Sequence, residues 1–187
     1  MSAAASSPGQ MTPTTQVTSS PDATRRLAAA LARAVEPLPR GGLTISLVGD
    51  LGAGKTTFAQ GLIRGLGVPP ETAVVSPTFT FARSYLGRVP IHHVDAYHVR
   101  DLASLEASGF EEMCGDGRVT VVEWGDRIAR ALPSDRIEIL FSPSPSSAED
   151  AASSRRIEIC ALGPASARLL ARLGAPEPTP AGGPRGG

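Results

Sequence analysis

Residues 43–57, LTISLVGDLGAGKTT, constrain this chain more than any other stretch. A short run of apolar and β-branched residues reads as a buried strand, and a glycine-rich loop then passes straight into a helical pattern. The loop 49–56 fits G-x-x-x-x-G-K-[ST], the phosphate-cradling pattern. Gly52 and Gly54 have no Cβ and tolerate positive φ, so backbone N–H groups can crowd around a polyphosphate. A helix starting near Gly54 adds unpaired N–H groups and the positive end of its dipole. Lys55 is then placed to reach β- and γ-phosphates, and the Thr56 hydroxyl to ligate Mg²⁺. Lys55 is also the single lysine among 18 basic residues. A chain that otherwise uses arginine keeps its one ammonium where a point charge is needed.

The remaining 187-residue chain bounds the answer without fixing it. Its length suits one domain with a real core. A formal net charge of zero supplies no global field toward nucleic acid or an anionic membrane. No apolar run approaches the roughly 18–20 residues of a membrane span, so no membrane association is expected. The first residues lack the basic start and apolar centre of a signal peptide. Cys114 and Cys160 form neither a metal pattern nor a disulfide framework and read as reduced thiols of a cytoplasmic protein. Residues 1–19 and 174–187, rich in Ser, Thr, Ala, Pro and Gly, are expected to be disordered tails, and 142–154 a low-complexity loop.

Between the tails, Ser20-Pro21 signals a helix start with Leu27, Leu31 and Val35 on one face. In the helix after the glycine loop, Gly61 and Gly65 leave a bare stripe that suggests close packing against another element. Residues 74–81 read as a loop entering a strand, and Gly87 as a hairpin turn into 89–95, VPIHHVD. Asp101 caps a helix, 118–124 (RVTVVEW) is another strand, 136–141 and 156–161 alternate as strands, and Pro164 opens a last helix. This mixture predicts a single α/β domain over 20–173, a sheet sandwiched by helices.

Two apolar strands end in acids, Asp95 and Glu123. A dry strand holds a carboxylate rigidly at the sheet edge where phosphates bind. Glu123 follows the more apolar run and is the better candidate for a metal sphere; Asp95 then orients water or reads a γ-phosphate. His92 and His93 are neighbours on a strand, point to opposite faces and cannot converge on one metal. Trp124, following Glu123, faces the other side of its strand and serves either core packing or a contact near the nucleotide.

GDLGAGKTT, SPTFT, HHVDAYHV and VVEW, in this order and spacing, resemble the bacterial TsaE (YjeE) family. The resemblance implies a P-loop-type α/β fold, binding and slow hydrolysis of ATP with Mg²⁺, and work beside the TsaB–TsaD pair. In that system TsaD transfers the threonylcarbamoyl group to adenosine 37 of tRNAs reading codons that begin with A, so the resemblance implies tRNA as an indirect partner through that complex. By position, the resemblance makes Asp50, Leu51, Gly52, Ala53, Gly54, Lys55, Thr56 and Thr57 the nucleotide-contacting run. It adds Thr24 near the base and Arg155 as the late arginine, with Arg156 adjacent and the register open between them. Lys55, Asp95 and Glu123 take the catalytic roles, Thr56 and Glu123 the metal. Residues 76–78 resemble a switch segment sensing γ-phosphate. The chain departs from the family's H-x-D-L-Y-R in carrying Ala96 for leucine and His98 for arginine, with Arg100 as a possible substitute. A P-loop small-molecule kinase is the alternative reading. A GTPase would need N-K-x-D, excluded because the one lysine lies in the loop.

Overall fold

The computed structural model describes residues 13–35, 37–144 and 154–173. A seven-stranded mixed sheet carries helices on both faces, the layered α/β architecture expected from the sequence. In chain order the elements are β1 (Thr14–Thr18), α1 (Pro21–Ala34), β2 (Leu43–Val48), α2 (Lys55–Gly65), β3 (Ala82–Leu86) and β4 (Pro90–Asp95). There follow α3 (Leu102–Ala107), α4 (Phe110–Met113), β5 (Val119–Glu123), β6 (Ile137–Pro143), β7 (Arg155–Ala161) and α5 (Pro164–Leu173).

The strands lie in the order β1-β7-β6-β2-β5-β4-β3. β6, β2, β5 and β4 are mutually parallel where they pair, while β1, β7 and β3 add antiparallel flanks. Alternation sorts the side chains. Ile45, Leu47, Val119 and Val121 pack with α1 and α2 on one face; Val94 and Val122 pack with Leu105, Phe110 and Ile128 on the other. Both faces are covered, which is why β5 reads as an almost unbroken apolar run.

α1 begins as its sequence signals: the Ser20 hydroxyl accepts from the Ala23 N–H at 3.1 Å, with Pro21 in the first turn. α1 lies against α2, and the bare stripe on α2 is the reason it can. A Cβ on Gly61 would meet the Arg25 carbonyl oxygen at 2.4 Å and its Cα at 2.6 Å. Gly61→Ala should therefore destabilise the protein by up to about 2 kcal/mol, because overpacking at about 1–3 kcal/mol outweighs the ~1 kcal/mol alanine gains in helix propensity. A urea titration reads this directly; a raised midpoint would mean the helix pair can spread freely.

Three expectations change. Within the segment 1–19, expected to lack structure, Thr14–Thr18 forms an edge strand paired to β7. Composition counts what a segment can bury, whereas an edge strand of β-branched residues needs only main-chain partners. Second, β6 extends into the expected loop as far as Pro143, pairing Ser142 with Arg156 and Pro143 with Arg155. Residues 1–12, 145–153 and 174–187 of the expected tails and loop lie outside the described residues. Third, the stretch 74–81, expected to pass from loop into strand, is loop throughout and the strand starts at Ala82; before it, Thr80 N–H bonds the Pro77 carbonyl at 2.9 Å and Phe79 is 98% exposed. Among the described residues no helix is long and apolar enough to cross a membrane.

Candidate nucleotide site

Parallel pairing decides where the site forms. β2, β5 and β4 are neighbours running the same way, with Leu47 in register with Glu123, and Glu123 with Asp95. The glycine loop leaving β2 and the two acids ending β5 and β4 therefore emerge together at one sheet edge. They border a cavity of about 420 Å³.

The loop leaves backbone donors open to the cavity. Gly52 and Gly54 sit at φ +75° and +106°, and a Cβ at either would meet nothing within 4 Å, so the loop borders open space. Gly54 caps α2 without a side-chain bond, leaving the first-turn N–H groups to the cavity. Beneath the loop, buried Phe58 of α2 stacks edge-on against Phe141 of β6, ring centroids 5.6 Å apart. Burying such a ring is worth about 1.5–3 kcal/mol and anchors the helix start to the sheet.

Lys55 is buried and folded back along its own loop. Its Nζ donates to the carbonyls of Gly49 at 2.6 Å and Asp50 at 2.7 Å. The third side of the ammonium faces the Trp124 ring, 3.5 Å from its centroid, a cation–π contact. Burial pushes the Lys55 pKa below its ordinary value, while the carboxylates of Glu123, Asp126, Asp95 and Asp50 pull the other way.

The two acids are held differently. Glu123, 2% exposed, accepts from the Thr56 hydroxyl through Oε2 at 2.7 Å and pairs through Oε1 with His93 Nε2 at 2.8 Å. Asp95 accepts from the Ser76 and Thr78 hydroxyls through Oδ2, at 2.9 and 2.7 Å, and from the Tyr97 N–H through Oδ1 at 2.9 Å. One carboxylate thus grips the first turn of α2 and the other the 76–78 segment. A ligand competing for these hydroxyls would be coupled to both.

Trp124 packs on the core and lines the cavity, so its two readings hold together. β5 ends at Glu123, and Trp124 takes φ +60°, a left-handed conformation rare for a bulky residue and worth about 1–3 kcal/mol of strain. The strand ends there, and the half-buried indole both lines the cavity beside Lys55 and Tyr97 and packs against the core cluster of Val94, Val122 and Ile128 on the opposite face. Arg127, in the 3₁₀ turn Gly125–Ile128, donates to the Tyr97 carbonyl at 2.7 Å and lies over the Tyr97 ring, 4.7 Å from its centroid. Asp126 sits in the first turn of the same segment.

Of the other residues singled out by sequence, Leu51, Gly52, Ala53, Gly54, Thr56 and Thr57 line the cavity with Lys55, Asp95 and Glu123. Asp50 contributes its carbonyl to Lys55 and is otherwise exposed. Arg155 reaches the loop, its guanidinium donating to the Gly52 carbonyl at 3.4 Å, whereas Arg156 bonds Glu158 at 2.7 Å. Thr24 is buried in the first turn of α1, bonded to the Thr18 hydroxyl at 2.8 Å, and does not line the cavity. His98 packs edge-on against Tyr97. Arg100 lies in an adjoining recess with Asp126 and Arg127.

His93 was missed. The two adjacent histidines do diverge, His92 Nδ1 bonding Ser84 at 3.0 Å on the far face. Dismissing them as a metal pair hid the bond His93 makes alone. The usable signal was period two: His93 and Asp95 share a face, so His93 faces the same side as the acid ending the neighbouring strand.

Comparison with known proteins agrees with this geometry. The family model described as threonylcarbamoyl adenosine biosynthesis protein TsaE matches residues 18–152. The tRNA threonylcarbamoyladenosine biosynthesis protein TsaE of Bacillus subtilis is 38% identical over 125 residues, 66% of this chain and 74% of that protein. The protein of the same name from Streptomyces coelicolor is 42% identical over 113 residues, 58% of this chain and 74% of its own length. A crystal structure of YdiB from Bacillus subtilis superposes with a TM-score of 0.66 at 31% identity, covering 87% of this chain and 94% of that one. With a family model matching most of its length and relatives covered over nearly three quarters of theirs, this chain belongs to the TsaE family.

Proposed function

We propose that this protein binds and slowly hydrolyses ATP with Mg²⁺, and that this supports threonylcarbamoylation of adenosine 37 in tRNA by a TsaB–TsaD pair. The observation that carries the reading is the meeting of Lys55, Thr56, Asp95 and Glu123 at one sheet edge around the glycine loop. A triphosphate lying along the loop meets the N–H groups at the α2 start, and Lys55 exchanges carbonyl partners for phosphate oxygens. These groups stabilise negative charge as it builds on the transferring phosphoryl group. The donor set also suits the ion: Mg²⁺ takes one or two carboxylates and fills its shell with phosphate oxygens and water. Thr56 and Glu123 would hold it, and when bound it would neutralise charge on the phosphates. Asp95, already bonded to Ser76 and Thr78, is placed to link the γ-phosphate to the 76–78 segment.

The deciding measurement is threonylcarbamoyladenosine content, by mass spectrometry, in tRNA from cells depleted of this protein. The modified nucleoside should fall and be restored by the wild-type chain. An unchanged level would leave nucleotide binding intact and turn attention to a small-molecule kinase.

A further inference from the structure

We propose that His93 is the positioning residue that aims the Glu123 carboxylate at Thr56, an inference that rests on the metal-binding reading of Glu123. His93 is fully buried on β4, and its Nε2 lies 2.8 Å from Glu123 Oε1. An ionised carboxylate only accepts, so Nε2 carries the proton and donates. The other ring nitrogen, Nδ1, is buried with no hydrogen-bond partner among the described residues, so none of them favours a proton there. One ring nitrogen is thus committed to Glu123 while the other has no described partner, an arrangement that keeps the donor at Nε2.

The consequence lies in the second oxygen. Glu123 Oε2 accepts from the Thr56 hydroxyl at 2.7 Å. With each oxygen held by a different element, β4 through His93 and α2 through Thr56, rotation about the last side-chain bond is blocked. The remaining lone pairs then stay aimed at the cavity. A carboxylate without His93 would keep its charge and lose its aim. Groups supporting a metal ligand in this way commonly account for about 10–100-fold in metal affinity.

The pair His93→Gln and His93→Asn separates positioning from packing. Glutamine carries its amide nitrogen near the place of Nε2 and can still donate; asparagine is too short. In the full chain, ADP affinity is measured by titration with Mg²⁺ and with a chelator. Both variants should bind ADP alike without Mg²⁺. Glutamine should keep the Mg²⁺-dependent gain within about 3-fold of wild type, and asparagine should lose roughly 10-fold or more of it. A wild-type gain in the asparagine variant, or equal loss in both, would overturn the proposal while leaving the metal reading standing. A wild type that gains nothing from Mg²⁺ would overturn both. A second readout needs neither metal nor nucleotide: a long-range ¹H–¹⁵N spectrum of the chain's three histidines. The set missing in His93→Gln should show a proton on Nε2; a proton on Nδ1 with none on Nε2 would overturn the proposal.

Discussion

Lys55→Ala is expected to weaken nucleotide binding by about 10–150-fold, the 1.5–3 kcal/mol of a hydrogen bond to a charged group. The fold should survive, because the ammonium's present partners are the carbonyls of Gly49 and Asp50 at the rim of an open cavity. Water can replace an ammonium there at little cost. Lys55 also sits against the ring of the protein's single tryptophan. Trp124 fluorescence should therefore change on nucleotide binding in the wild type and respond far less in the variant. Titration calorimetry beside a thermal melt checks the expectation. Unaltered affinity in a folded variant would sink the P-loop reading of residues 49–56.

Glu123→Gln is expected to lower ATP hydrolysis by roughly 10²–10³-fold, the scale seen when one electrostatic group is removed from a preorganised site. Glutamine is the informative choice. Alanine would leave the buried His93 N–H and the Thr56 hydroxyl without an acceptor, at about 1–3 kcal/mol each, and so would confuse lost chemistry with lost stability. Glutamine keeps an oxygen for His93 and a polar group opposite Thr56, and removes the charge. Denaturation should then differ from wild type by no more than about 1 kcal/mol. If turnover persists at the wild-type rate, Glu123 is not the metal carboxylate. Asp95→Asn becomes the next variant, read for hydrolysis and for the response of the 76–78 segment.

The two acids show how much could be read from the chain. Each was legible as an apolar strand ending in a carboxylate, since a buried parallel strand advertises itself by composition. Their different uses were not. Asp95 is tied to Ser76 and Thr78, and Glu123 to Thr56 and His93; these partners lie on other elements, and residue spacing carries no information about which strands are neighbours. The same distinction covers the two arginines. The chain left both open; the pairing of β7 with β6 places Pro143 opposite Arg155, and it is Arg155 whose guanidinium reaches the glycine loop.

By itself the sequence determined what is local: the strand–loop–helix of residues 43–57, the Ser20 cap of α1, the close approach at Gly61, and the acids at two strand ends. Each follows from backbone sterics, helix-end hydrogen bonding or the two-residue period of a strand. Only the tertiary structure decided that β1 joins the sheet, that Trp124 turns left-handed to cover Lys55, and that His93 grips Glu123. These depend on partners distant in the chain. An edge strand exists because β7 offers it hydrogen bonds. A strained tryptophan is tolerated because packing on Tyr97 and Lys55 opposes the strain, and a buried histidine acquires a task from the strand that happens to lie beside it.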